Sequence, residues 1–322
     1  MRRKWLTRYV VRRLLMVVPL VLLVTIVAFS LTYIAPGGPV ATLLGGHPTT
    51  EEAIKAIEAK YHLNDPLPVQ YLKWLKGVLT LDFGRSITTS EPVLGAIGDR
   101  LKVSVVLNFA AIFIAMTVGV TLGCLAALKR GGWIDQSIVA TSVLGISSPA
   151  FVVGILLLYI FSLKLGWFPI YGAGSSAPLD RAHHLALPAI TIAFGIMGLV
   201  MRITRAAMIQ ELSKDYTSFA RARGVPERKV VMVYAFRNAL VQVTTAAGLL
   251  IAGILGGSVL VETVYGLPGV GRLLVASVTS GDIPMLQGLV LLFALWVVLF
   301  YILLDVIYAL LDPRIAYEKV AR

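Results

Sequence analysis

Apolar residues in this chain run on continuously rather than alternate. Six stretches contain no Asp, Glu, Lys or Arg: 14 to 50, 103 to 128, 136 to 163, 182 to 201, 238 to 261 and 283 to 304. A helix needs about 20 mostly apolar residues to cross a bilayer, and every one of these stretches is long enough to supply them. The pattern predicts six transmembrane helices, over roughly 12–35, 101–128, 137–163, 184–203, 238–261 and 285–311. Strands are excluded because a membrane strand alternates, and because each backbone polar group in lipid must be paired within its own segment or a closed barrel. The expected fold class is an all-α integral membrane protein.

A long outer segment, 36 to 100, separates the first two spans. It opens with "PGGP" and passes into "TTEEAIKAIEAKYHL", an amphipathic helix with Thr49 or Thr50 as N-cap and Glu51 and Glu52 in the first turn. In "LNDPLPVQYLKWLKGVLTLDFGRSI" that follows, Tyr71, Trp74 and Leu75 fall on one face, which places this piece at the membrane interface. Three regions result: 1–97 with the first span and outer segment, 98–311 with a five-helix bundle, and a tail at 312–322. Gly119 with Gly123, and Gly253 with Gly257, are small-xxx-small pairs that let helix backbones approach. Pro149, after Ser147 and Ser148, should kink the third span and free a carbonyl, which either shapes a cavity or is an ordinary kink.

Composition agrees with this pattern. The chain is 57% hydrophobic and 14% charged, with a mean hydropathy of +0.83, against about 25% charged residues in a soluble domain. Its net charge of +12 is distributed by topology. Arg2, Arg3, Lys4, Arg8, Arg12 and Arg13 precede the first span, and Lys129 and Arg130 follow the second. Arg202, Arg205, Lys214, Arg221, Arg223, Arg228, Lys229 and Arg237 lie between the fourth and fifth, and Arg314, Lys319 and Arg322 end the chain. With six spans these segments share one side, which the positive-inside rule makes the cytoplasm, termini included. The charge therefore does not call for a nucleic-acid partner. The first apolar run is too long for a signal peptide, with no small-residue cleavage site before Pro36. Cys124 stands alone, so no disulfide or metal framework is expected.

Chemistry-bearing motifs are absent. No G-x-x-x-x-G-K-[ST], H-E-x-x-H or G-x-S-x-G occurs, and "GLPGVG" at 266 to 271 reads as a turn. Glu262 and Asp305 sit near span ends, whereas an ion-coupled transporter usually carries carboxylates or His near the midplane. The chain spans a membrane with no visible engine. It is a passive pore or scaffold, or its engine is another chain.

Between the fourth and fifth spans lies an interrupted helix. "ELSKDYTSFARAR" is helix-compatible, with Tyr216, Phe219, Ala220 and Arg223 recurring on one face. Gly224 sits where a helix stops on a left-handed residue, Pro226 suits the first turn of a new helix, and Glu227 suits its dipole. The expected object is a short helix, a tight bend, and a second helix rising into the bilayer. One reading is a basic loop held by anionic headgroups. In the other, small Ala220 and Ala222 leave a slim face that another protein's groove could hold.

"DYTSFARARGVPERKVVMVYAFRNAL" resembles the E-A-A-x-x-x-G loop of binding-protein-dependent ABC importer permeases, in the form used by the dipeptide/oligopeptide branch. The likeness covers nearly the whole chain. "RYVVRRLLMVVPLVLLVTIVAFSLTYIAPGGP" resembles that branch's first span, and "LNDPLPVQYLKWLKGVLTLDFGRS" its outer region. "SSPAFVVGILLLYIFSLKLGWFP" resembles its third span, and "VETVYGLPGVGRLLVASVTSGDIPMLQG" the link between its fifth and sixth. Two places depart. The E-A-A positions fall on Ser218-Phe219-Ala220, and Gly38 stands where an acidic residue is usual.

The resemblance implies a non-catalytic permease subunit of the prokaryotic cytoplasmic (inner) membrane. Residues at about 213–224 would be a coupling helix, with Tyr216, Phe219, Ala220, Arg221, Ala222, Arg223 and Gly224 docking in a cleft on a separate ATPase. Arg221 and Arg223 would pair with acidic groups there. Implied partners are a second, homologous permease, two P-loop ATPase subunits, an extracytoplasmic peptide-binding protein and membrane lipid. ATP and Mg would be held by the ATPases, and no cofactor or metal by this chain. ATP-driven approach of the two ATPases would swing the spans between inward- and outward-facing states. Candidate path or outer-gate residues are Ser147, Ser148, Pro149, Glu262, Asp282 and Pro284, although Asp282 also reads as an N-cap of the last span. Di- and oligopeptides are the implied substrates. Nickel-chelate or glutathione importers look much the same, and a transporter or channel without an ATPase is the alternative of a different class.

Overall fold

Long apolar runs must close their backbone hydrogen bonds internally, and the structure is helical accordingly. It is a computed structural model that describes residues 2–34, 38–43 and 50–311. The tail at 312–322, Thr49 and the side chain of Asp305 lie outside the described residues. The chain forms two units, one from 1–104 with 268–302 and the other from 105–267 with 303–322.

The first unit holds α1 (Arg2–Ile34), α2 (Gly38–Leu43), α3 (Glu51–Tyr61), α4 (Leu67–Leu79), the start of α5 (Val93–Leu128), α13 (Val270–Ser280) and most of α14 (Ile283–Leu311). On α1, Leu22, Leu23, Ile26 and Val27 are exposed, while Thr25, Ala28 and Thr32 are buried in one stripe at helical spacing. That stripe receives α4 and α14. Tyr71 Oη meets Thr25 Oγ1 at 2.8 Å, and Tyr33 donates to Gln70. Trp74 Nε1 donates to Gln287 Oε1 at 3.1 Å, and Gln287 Nε2 donates to the Ala28 carbonyl at 3.1 Å and Thr32 Oγ1 at 3.0 Å. Tyr71, Trp74 and Leu75 share a half-buried face of α4, as the spacing predicts. The polar tips of Tyr71 and Trp74 are satisfied by protein partners instead of headgroups. Thr50 takes the N-cap position of α3 with Glu51 and Glu52 in the first turn, and its side chain makes no capping bond.

The second unit is built around α8 (Pro178–Leu212), joined by the rest of α5, α6 (Trp133–Ser147) and α7 (Ala150–Leu157), which continues as a π-helical turn over Leu158–Lys164. It also holds α9 (Asp215–Ala222) and α10 (Glu227–Lys229), a second π-helical segment Val230–Phe236, α11 (Arg237–Ala252) and α12 (Ile254–Val264). Gly119 and Gly123 lie on α8 as expected: a Cβ at Gly119 would stand 2.9 Å from Val200, and one at Gly123 2.6 Å from Thr204. On its other side α8 meets α6 through Gly145 and Gly198, whose added Cβ atoms would stand 2.7 Å from the Phe194 carbonyl and 2.6 Å from that of Ser142. Val200, Ala207 and Met208 of α8 form a core with Ala127, Ala235, Ala239 and Val243. Thus α8 is held close to α5 on one side and to α6 on the other by backbone-level contacts.

One expectation needs correcting. Gly253 and Gly257 are not a packing pair: Gly253 lies at the break between α11 and α12 with ψ −2°, and a Cβ at Gly257 would meet nothing within 4 Å. The helix predicted over 238–261 therefore comes in two pieces, since a glycine adds no side-chain contact to hold the turn. At Pro149 the expected kink is a 108° corner. Proline disfavours helical backbone in the residue before it. Ser148 (ψ 125°) and Pro149 (ψ 131°) are both extended, so α6 stops and α7 restarts in a new direction. Among the described residues four helices are long and apolar enough to cross a membrane, α1, α5, α8 and α14, or five if the bent pair α6–α7 is one span.

Candidate functional site

The interrupted helix forms as its residues dictate. Its start is unusual, because Lys214 holds the N-cap position without a side-chain capping bond. Thr217 Oγ1 instead donates to the Lys214 carbonyl at 2.6 Å and the Leu212 carbonyl at 3.0 Å, closing the turn between α8 and α9. Its end is a Schellman cap. Gly224 has φ 75°, its N–H donates to the Arg221 carbonyl at 2.9 Å, and the Val225 N–H donates to the Ala220 carbonyl at 3.1 Å. Pro226 follows as the N-cap of α10, one position before the expected first turn, with Glu227 next at the positive end of the helix.

Helical geometry divides the seven predicted docking residues into two faces. Thr217 and Ala220 are buried and Tyr216 half-buried. Tyr216 Oη donates to Glu211, and Asn238 Nδ2 donates to Tyr216 Oη at 3.1 Å and to the Tyr234 carbonyl at 2.7 Å. Burial and the Glu211 carboxylate both raise the Tyr216 pKa. Lys214 Nζ donates to Glu211 at 2.6 Å, which raises its own pKa. Tyr216 is thus an anchor for α9. The outer face is Ser218, Phe219, Ala222 and Arg223, with Phe219 69% exposed.

Arg221 is engaged within the chain. Its Nε and Nη2 reach the Glu227 carboxylate at 3.0 and 2.8 Å, and its Nη1 reaches the Leu212 carbonyl at 3.3 Å. This hydrogen-bonded pair holds the Glu227 carboxyl below its ordinary range. It bridges the Gly224 bend, joining α9 to α10. Arg223 is the exposed cation on the outer face of α9.

The six path or gate candidates are scattered. Ser147, Ser148 and Pro149 make the corner of α6 and α7, with Ser147 and Pro149 exposed. Glu262 is fully buried on α12, in a polar chain where Asn108 Nδ2 and Ser258 Oγ, then Ser258 Oγ and Glu262 Oε1, each stand 3.4 Å apart. In the other unit Asp282 and Pro284 are buried at the start of α14. Asp282 Oδ1 accepts from the Met285 and Ile87 N–H groups, both at 3.3 Å, and Oδ2 accepts from the Ser86 hydroxyl. The N-cap reading is therefore realised, and the same carboxylate pins the outer segment to α14.

Sequence reading missed Glu211 and Asn238, which hold the site, and, farther along α8, the pair Asp135 with Arg205. Asp135 lies only a few residues beyond Lys129 and Arg130, an acid close to two basic residues. That was an available signal, but nothing in the sequence names a partner 70 residues away.

Comparison with known proteins gives a consistent result. The family "Binding-protein-dependent transport system inner membrane component" matches residues 119–317, and its companion N-terminal family matches 6–108. A putative peptide transport system permease protein of Brucella abortus is 37% identical over 97% of this chain and 100% of its own length. A probable peptide ABC transporter permease protein of Sinorhizobium fredii is 37% identical over 96% of this chain and 99% of its own. The glutathione transport system permease protein GsiC of Salmonella paratyphi A is 38% identical over the same shares. Among solved structures, inward-facing forms of the MetNI methionine ABC transporter contain a chain that matches with TM-scores of 0.57 and 0.59, at 16% and 17% identity. Each match covers 70% of this chain and all of the other, a likeness of fold.

Proposed function

The chain belongs to the family of inner membrane components of binding-protein-dependent transport systems, and on that premise we propose that it forms half of the translocation path of an ATP-driven importer of di- and oligopeptides. The observation that carries this reading is α9: eight residues, bolted to α8 on one face and bare on the other, with Phe219 offered to a partner. A large aromatic on the bare face of a short polar helix is suited to a protein groove. The ATPase supplies that groove, and ATP and Mg reside there. A second homologous permease completes the path, two ATPases drive it, and an extracytoplasmic binding protein delivers substrate.

In this arrangement six spans cross the cytoplasmic membrane, with the pair α6–α7 as the third and α11–α12 as the fifth. The distribution of Lys and Arg supports cytoplasmic termini and a cytoplasmic α9. Each coupling helix moves with its ATPase, and α8 carries that movement into the bilayer. Peptide as substrate draws on the Brucella and Sinorhizobium relatives. Glutathione, itself a tripeptide, is the second reading, favoured by the Salmonella relative.

Two measurements test this. Co-expressed with its partner permease, the chain co-purifies with a P-loop ATPase, and Phe219→Ala weakens that association about tenfold, as truncating an interface anchor does. Undiminished recovery of the ATPase by the variant sinks the docking role. In a deletion strain, uptake of labelled di- to hexapeptides is lost. Normal peptide uptake with loss of glutathione or nickel uptake overturns the peptide assignment.

A further inference from the structure

Asp135, near the start of α6, is 3% exposed and saturated by three donors. Arg205 Nε reaches Oδ1 at 2.6 Å, Arg205 Nη2 reaches Oδ2 at 2.8 Å, and the Gly131 N–H reaches Oδ2 at 2.9 Å. The pair joins two helices far apart in the chain. Five other ion pairs, by contrast, link groups three to eight residues apart. Arg205 stands on α8 about one and two-thirds turns before Glu211, the residue that grips Tyr216 and Lys214 of the docking-helix junction. A continuous line of fixed contacts therefore runs from α9 through Glu211 and α8 to Arg205, Asp135 and α6. At its far end α6 stops at the extended Ser148-Pro149 corner.

Contacts between α6 and α8 at Gly145 and Gly198 hold the helices close but are non-directional. Glycine surfaces resist approach and let helices slide. A forked guanidinium–carboxylate pair resists sliding, because both bonds break when either helix shifts along its axis. We propose that Asp135 and Arg205 are a positioning pair for transport, the fork that makes α6 move with α8 when the docking helix is displaced. This rests on the functional reading above. Without the fork, the ATPase still docks and α8 still moves, but α6 lags and hydrolysis runs without translocation.

The test uses the full complex of both permeases and both ATPases in proteoliposomes, with substrate-loaded binding protein outside. Labelled di- to hexapeptide uptake and ATP hydrolysis are measured together, and the readout is peptide moved per ATP. Arg205→Lys keeps the charge and loses the fork. Asp135→Asn keeps the shape and loses the charge. Both are expected to bring down the complete complex with undiminished ATPase docking, and to lower the ratio by at least about tenfold, within the usual range of coupling between sites. The exchange Asp135→Arg with Arg205→Asp is expected to recover part of it. A merely structural pair changes the amount of complex and leaves the ratio alone. An unchanged ratio in the single variants overturns the proposal, as does failure of both to assemble, which makes the pair a folding element. A wild-type complex that binds no ATPase or moves no peptide overturns the functional reading itself.

Discussion

Replacing Gly224 tests how α9, the proposed docking helix, is held. At φ 75° this residue sits in the left-handed region, and a Cβ placed there would meet nothing within 4 Å. Gly224→Ala therefore adds no clash, only the backbone strain of a left-handed L-residue, about 1–2 kcal/mol. Asn tolerates this region better and costs less, while β-branched Val costs more. Isolated helices shorter than about 12–15 residues are marginal in water, and α9 has eight. Its order depends on its caps and on the Tyr216 and Thr217 anchors. A loss of about 1–2 kcal/mol changes the capped population by about 5- to 30-fold, and apparent affinity falls with the competent fraction. That range is the ceiling on the weakening of ATPase binding. Titrating the purified permease pair with ATPase should give affinities in the order Gly, Asn, Ala, Val. Wild-type affinity in Gly224→Val, or Asn binding worse than Ala, would refute the claim that a left-handed cap presents the helix.

Gly123→Ala sets a Cβ 2.6 Å from Thr204 and 2.7 Å from the Met201 carbonyl; overpacking of this kind costs about 1–3 kcal/mol. Gly257→Ala meets no neighbour and should be neutral or stabilising. Thermal unfolding in detergent separates the two, and equal shifts contradict the α5–α8 crossing. Asp282→Ala strips a cap and leaves Ser86 and the Ile87 N–H without their acceptor, a loss of about 2–4 kcal/mol by the same assay. Asp282→Asn should lose less, and an Ala variant as stable as wild type counts against the tie. Since Arg221 lowers the Glu227 pKa, the stability from that pair is present above the ordinary carboxylate pKa and is lost as pH falls through the lowered folded value. ATPase association should weaken more on acidification in wild type than in Glu227→Gln, which starts weaker at about pH 7; parallel pH profiles exclude the bridge.

Much of the α9–α10 element was legible because its signals are local. A left-handed glycine, a proline two residues on and an acid in the next first turn specify stop, bend and restart through covalent geometry alone. Which side of α9 faces outward was not. Tyr216 turns inward because Glu211 and Asn238 are there to receive its hydroxyl, and Arg221 turns to Glu227. Both residues carry the same side-chain types whether they dock or anchor.

By itself the sequence determined the helical class and the apolar stretches, since backbone pairing in lipid acts wherever those residues stand. It determined that a break falls at Ser148-Pro149, through the steric rule on residues before proline. Only the tertiary structure decided that this break is a 108° corner, that Gly253 divides a helix while Gly257 touches nothing, and that Asp135 and Asp282 close on Arg205 and Ser86. A corner's angle depends on what packs beside it. A buried carboxylate finds whichever donor the fold brings near, and the chain between them carries no mark of the meeting.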